Sequence, residues 1–224
     1  MEGPLQRTVE ENDSLLLVAW AIDAKGDTVP DVTITWELLD ADTDSTPVGF
    51  SLDAQRGLIS ATSPGQGRVR PTVESFTPAE YITVTVTGAP DSVIAAGDLT
   101  IVLASGEVTS SKLEVLVYDL TTIPATAVPL SGKSVQFAVV VPDPDAAEAA
   151  GFFLVLSPQD SVPEEAPHTV VATTDDMGLA RAFVRRIAGA ALPDSAVVQA
   201  NVSTVIGEAV RGSPVRFVVI FEND

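Results

Sequence analysis

Three carboxylates at alternate positions, Asp40, Asp42 and Asp44, are the side chains in this sequence best spaced for chemistry. Alternate residues of an extended loop point the same way, so the three could converge on a hard cation, and Ca²⁺ takes oxygen ligands of this kind. The glycine and the twelfth-position Glu of an EF-hand loop are absent, so the expected site is a plain acidic loop binding calcium. Asp143 with Asp145, and Asp175 with Asp176, are weaker pairs of the same type. Calcium is the one cofactor these residues offer. The single histidine, His168, lies between Pro167 and Thr169 and is expected to be a solvated loop side chain, and a zinc site built on imidazoles needs more of them. With no cysteine in the chain, thiolate metal sites, disulfides and cysteine nucleophiles are excluded. No Gly-x-Ser-x-Gly elbow surrounds any serine, and Gly65-Gln-Gly67 lacks the lysine and helix of a phosphate loop. With 31 acidic residues, chance pairs of carboxylates are the rule, and no coherent acid/base pair stands out. The expectation is that the protein is not an enzyme.

The formal net charge is -19. Such a surface repels phosphate backbones and anionic lipid, which argues against nucleic-acid and membrane-surface partners. The longest apolar segment near the start, Leu15 to Ile22, is too short to span a bilayer and follows acids rather than a positive leader region.

The elements that must position these residues are strands. Apolar side chains recur with period two, and many are β-branched. Val32, Ile34, Trp36 and Leu38 share a face, as do Ile82, Val84 and Val86. So do Leu113, Val115 and Val117, then Val135, Phe137, Val139 and Val141, and finally Val215, Phe217, Val219 and Phe221. Turn signals separate these runs, at Lys25-Gly26-Asp27, Gln55-Arg56-Gly57, Ser131-Gly132 and Asp176-Met-Gly178. An all-β chain of two antiparallel sandwiches follows, with residues 1–90 forming the first domain and residues 91–224 the second. Residues 1–13 form an N-terminal segment ahead of the first strand, Gly88 to Gly97 holds the linker, and residues 142–168 form an insertion. Within that insertion Asp143 to Gly151, with its Asp-Pro start and Gly end, predicts about two helical turns.

The motif residues resemble known families. Residues 14–87 resemble a bacterial Ig-like group 2 domain. The matching pieces are Leu17, Ala19 and Ala21 leading to Asp23 and Gly26, then Thr35-Trp36, Gly57-Leu-Ile-Ser-Ala61 and Pro64-Gly65. Residues 98–221 resemble the invasin/intimin-type (group 1) bacterial Ig-like domain. There the pieces are Leu113 to Asp119, Pro129 to Phe137, Thr174-Asp-Asp-Met-Gly178-Leu-Ala180, Val198-Gln-Ala200 and Val215-Arg-Phe217. The resemblance implies an extracellular or cell-surface structural or adhesive module, such as a repeating subunit of a surface fibre or layer. The other role it leaves open is a ligand-binding accessory module, for which Trp20, Phe76, Tyr81, Tyr118 and Phe152-Phe153 would supply aromatic contacts.

One strand departs from the ordinary pattern. If Leu17, Ala19 and Ala21 face the core, then Leu16, Val18, Trp20 and Ile22 face outward, where a surface strand carries polar groups. Val218 and Ile220 repeat this more mildly near the end. Leu16, Val18, Trp20 and Ile22 are therefore the expected interface, covered by another part of the chain or by a protein partner. Self-association into a homo-oligomer or filament is expected, with residues 1–13 donated as a strand to a neighbour.

Overall fold

The computed structural model describes residues 6–43, 45–74, 76–122, 125–146, 149, 151–160, 167–205 and 207–222. The chain divides into two compact units, residues 1–89 and 90–224. Each is a sandwich of two sheets, antiparallel apart from one strand pair in each unit.

In unit 1 one sheet has the order β1 (Gln6–Glu10), β7 (Ile82–Thr87), β6 (Gly65–Val73), β3 (Ile34–Asp40). The other has β2 (Ser14–Leu16), β5 (Leu58–Ala61), β4 (Phe50–Asp53). The period-two pattern decides which side chains meet between them. Val9, Trp36, Leu38, Val69, Ile82, Val84 and Val86 come from the first sheet; Ile59 and Ala61 come from the second, with Leu17 just beyond β2. Trp36 is the one large aromatic fully within this core, and Gly57 makes room for it. At φ +68° a Cβ on Gly57 would sit 2.6 Å from the Trp36 indole nitrogen and 2.8 Å from the Leu17 carbonyl oxygen.

Unit 2 has two five-stranded sheets. The first joins β11 (Ala125–Pro129), β10 (Leu113–Thr122), β15 (Leu179–Arg186) and β13 (Phe152–Val155), with β8 (Ser92–Ala95) also paired to β10. The second runs β14 (Thr169–Thr173), β12 (Ser134–Val141), β16 (Ser195–Asn201), β17 (Val215–Phe221), β9 (Thr100–Leu103). Phe137, Phe152, Phe217 and Phe221 fill its core among short aliphatic side chains.

Both units use two further devices in common. An early strand lies parallel to the last one, β1 against β7 and β9 against β17. An Asp-x-x-Gly turn closes on its own aspartate. Asp23 Oδ1 accepts from the amides of Lys25 (2.8 Å) and Asp27 (3.0 Å), and Asp175 Oδ1 from those of Met177 (2.9 Å) and Leu179 (3.0 Å).

The structure differs from the sequence-based expectation at five places. Residues 6–10 are not a loose segment but β1, already paired within their own unit. Ser92–Ala95, expected in the linker, is β8, with Val93 in the core of unit 2. Val141 does not share the buried face, because a bulge between Val139 and Val141 turns it outward. The described residues of Asp143–Gly151 form a turn at 144–146 and a short 3₁₀ stretch at Ala149 and Gly151 instead of two α-helical turns. Asp143 accepts from the amides of Asp145 and Ala146, and Ala149 bonds back to Ala146. His168 is part-buried: its Nε2–H is shared by the carbonyls of Ala149 (2.9 Å) and Phe152 (3.2 Å), and its ring meets Phe152 edge-on.

Candidate functional site

The acidic loop follows β3. Asp40 closes the loop on itself: its Oδ1 accepts from the amides of Asp42 (3.0 Å) and Thr43 (3.0 Å) and from the Thr43 hydroxyl (3.2 Å). Those amide bonds, Asp42 first, hold its carboxyl below the ordinary aspartate range. Arg68 braces the same loop from β6, donating to the carbonyls of Asp40 (2.9 Å) and Thr43 (3.1 Å). The Arg68 guanidinium thus ties the two ends of the turn together through their backbone carbonyls. Asp44 lies outside the described residues, and among those described no group of three or more His, Asp or Glu is gathered to hold a metal.

The aromatic candidates scatter. Phe152 and Phe153 are completely buried, so they belong to packing and not to a binding platform. Tyr81 has two guanidinium groups over its ring, Arg68 at 5.0 Å and Arg70 at 4.7 Å from the centroid. Phe76 is exposed, on a bridge to Val73. A pocket of about 240 Å³ opens among Leu156, Ala172, Thr173, Asp175, Leu179 and Arg181 in unit 2. It is smaller than ordinary small-molecule sites. Its two charged groups face each other at 3.1 Å, and Arg181 is also bound to Glu114.

Glu114 is the charged side chain most deeply set in unit 2, at 3% exposure. Burial pushes its carboxyl up, but the bonds from Lys112 (2.7 Å) and Arg181 outweigh that and hold it below the ordinary glutamate value. This cluster is not legible along the chain, because Arg181 meets Glu114 only through the β10–β15 register, which sets the two opposite each other.

The apolar face of unit 1 is the clearest surface feature. Leu16, Val18, Trp20 and Ile22 are 58%, 61%, 70% and 64% exposed, while Leu17 between them is buried. The segment continues β2 past the point where β5 ends. β2 pairs with β5 only through Leu16, and from Val18 to Trp20 the chain has no ladder partner among the described residues. A short β-bridge, Ile22 to Thr28, then closes the Asp23 turn. The alternation that buries Leu17 therefore leaves four large apolar side chains on an open sheet edge. In unit 2, the corresponding outer face near β17 carries Val102, Val141, Val218 and Ile220, each partly to well exposed. There β17 is paired on both sides, with β16 and β9. Among the described residues no helix is long and apolar enough to cross a membrane.

No protein-family model and no curated protein matches the chain. Solved structures are similar to it at low identity. Domains 4 and 5 of the S-layer protein SbsC are 14% identical over 94% of this chain and 82% of that one, with a TM-score of 0.34. The Yersinia pseudotuberculosis adhesin InvE is 15% identical over 98% of this chain, which spans 57% of that one, with a TM-score of 0.40. A three-Ig titin fragment is 9% identical over 98% of this chain and 62% of that one, with a TM-score of 0.31. At scores this low the likenesses carry nothing about ligand, partner or activity; the all-β sandwich architecture stands on the strand pairing itself.

Proposed function

We propose that the chain is a non-enzymatic structural or adhesive module of an extracellular or cell-surface assembly, with the Leu16, Val18, Trp20 and Ile22 face as its contact surface. The observation that supports this most is the exposure of those four side chains on one open edge. A contiguous apolar face of this kind is seldom left in water unless something binds it. Within this reading the first domain, residues 1–90, is of the group 2 Ig-like type and the second, residues 91–224, of the invasin/intimin type. The turn residues Asp23, Gly26, Asp175 and Gly178 and the packed Trp36–Gly57 pair support that subdivision, since these are the positions the two patterns share with the chain. Calcium at Asp40, Asp42 and Asp44 is a separate proposal, which a rise in melting temperature on adding Ca²⁺ would support and an unchanged one would remove.

Protease treatment of intact source cells tests the surface reading. Release of fragments of this chain without lysis is the expected result, and release only after lysis would overturn it.

A further inference from the structure

The open edge of unit 1 has a backbone register that specifies a partner. Asp13 O accepts from Ala61 N (3.2 Å), and Leu17 N donates to Gly57 O (2.9 Å). Further along, Ala21 O accepts from Val29 N (2.9 Å) and Asp23 N donates to Asp27 O (2.9 Å). The odd-numbered residues thus turn their backbone groups toward their own unit. By the period of two along a strand, the amides and carbonyls of Leu16, Val18, Trp20 and Ile22 face the open side. These are the four residues whose side chains are also exposed. A partner for this edge must therefore satisfy unpaired backbone groups and cover alternating large apolar side chains at once, which is what an extended strand of the same pattern does.

The structure points to a second copy of this segment as that strand, and we infer that two chains pair antiparallel through residues 16–22 about a two-fold axis at Ala19. The inference rests on the surface-module reading only in taking this face as an interface. The register is self-complementary. With Ala19 on the axis, Leu16 of each copy lies opposite Ile22 of the other and Val18 opposite Trp20, so every pair joins two residues whose backbone groups face outward. No residue from Ser14 to Ile22 is charged, in a chain of net charge -19 that otherwise repels its own copies. At the ends of the paired segments the same register brings Asp13 toward Lys25 of the other copy, and Lys25 is the only lysine of unit 1. Side-by-side pairing covers the flanks of these four exposed side chains and the two backbone edges, a contact at the small end of specific interfaces.

Sedimentation velocity of the intact chain, beside Val18→Lys, tests this. Val18 is exposed, so a lysine there disturbs no packing. The expected result is a dimer for the parent chain and, because the change enters the two-fold contact twice, association weakened by at least about 100-fold in V18K, with an unchanged melting temperature at concentrations where the parent is also monomeric. The absence of native cysteine makes the register testable as well. On mixing V18C with W20C, a disulfide between the two variants should form faster than within either alone. A parent chain that stays monomeric near 100 µM, a V18K that sediments like the parent, or crosslinking within V18C alone as fast as in the mixture would each overturn the pairing. A monomer still shaved from intact cells would sink the pairing and leave the surface reading standing; a dimer released only after lysis would do the reverse.

Discussion

The two units solve the same folding problem with unequal means. Unit 2 closes two five-stranded sheets over a core with four phenylalanines, and it fixes its loops with buried polar groups. Thr174 Oγ1 donates to Leu130 O (2.6 Å) and accepts from Lys133 N (2.8 Å), while Ser110 Oγ accepts from Val184 N (2.9 Å). Unit 1 has a single large core aromatic, Trp36, and a second sheet of three strands no longer than four residues. In unit 2 the outward Val218 and Ile220 lie on β17, which is paired on both sides, whereas in unit 1 the outward apolar residues run on past the end of a ladder. The contrast teaches that an apolar face alone does not make a contact surface: the unpaired backbone beside it does, because that cost is relieved only by another strand.

The comparison can be broken most forcefully at Trp36. Trp36→Ala should cost about 3–5 kcal/mol, most of what a small sandwich has, so calorimetry should show the lower-temperature transition lost and the upper one, from unit 2, kept. Gly57→Ala tests the same core by crowding instead of by a cavity. Its Cβ has no room beside the indole and the Leu17 carbonyl, and the left-handed backbone adds strain, so unit 1 should lose about 2 kcal/mol in denaturant titration.

In unit 2 acid should act through Glu114. The Glu114 carboxyl is held low in the folded state, so its contribution is fully present above the unfolded value near 4.3 and is lost as the pH falls through the folded value. The upper transition should therefore shift down below about pH 4.3, and Glu114→Gln should flatten that part of the profile while lowering stability at pH 7 by about 1–2 kcal/mol. A profile unchanged by E114Q would remove this cluster from the account of unit 2. The smallest thermal effect belongs to the contact face. Trp20→Ser should change the stability of neither unit in the dilute chain beyond about 0.5 kcal/mol, because its ring is mostly exposed, yet it should weaken association.

Much of this was legible in the sequence because period two survives wherever a strand has one wet face. Trp36 and Leu38, Ile82 to Val86, and Val215 to Phe221 are buried on the side their alternation predicts. What escaped has physical causes. β1 contributes one buried apolar residue, Val9, so it carries almost no pattern, and its pairing with β7 spans most of the unit. β8 lies between Pro90 and Gly97, where composition spells a linker. The bulge at Val139 is a local change of register, and the clustering of Glu114 with Arg181 arises from a strand pairing across 67 residues. The outward pattern of Leu16 to Ile22 was readable; that its edge lacks a ladder partner is a fact of topology, set by where β5 stops.

Amide hydrogen exchange at Val18 and Trp20, followed from dilute to concentrated protein, tests the central claim most directly. Both amides face the open edge, so the account predicts rapid exchange in the dilute monomer and protection that grows with concentration, while Leu17, bonded within its own unit, stays protected throughout. Equal protection of Val18 and Trp20 at every concentration would mean that the edge is covered within the chain. Equally rapid exchange at every concentration would mean that no second copy adds to it. Either outcome would contradict assembly through this edge.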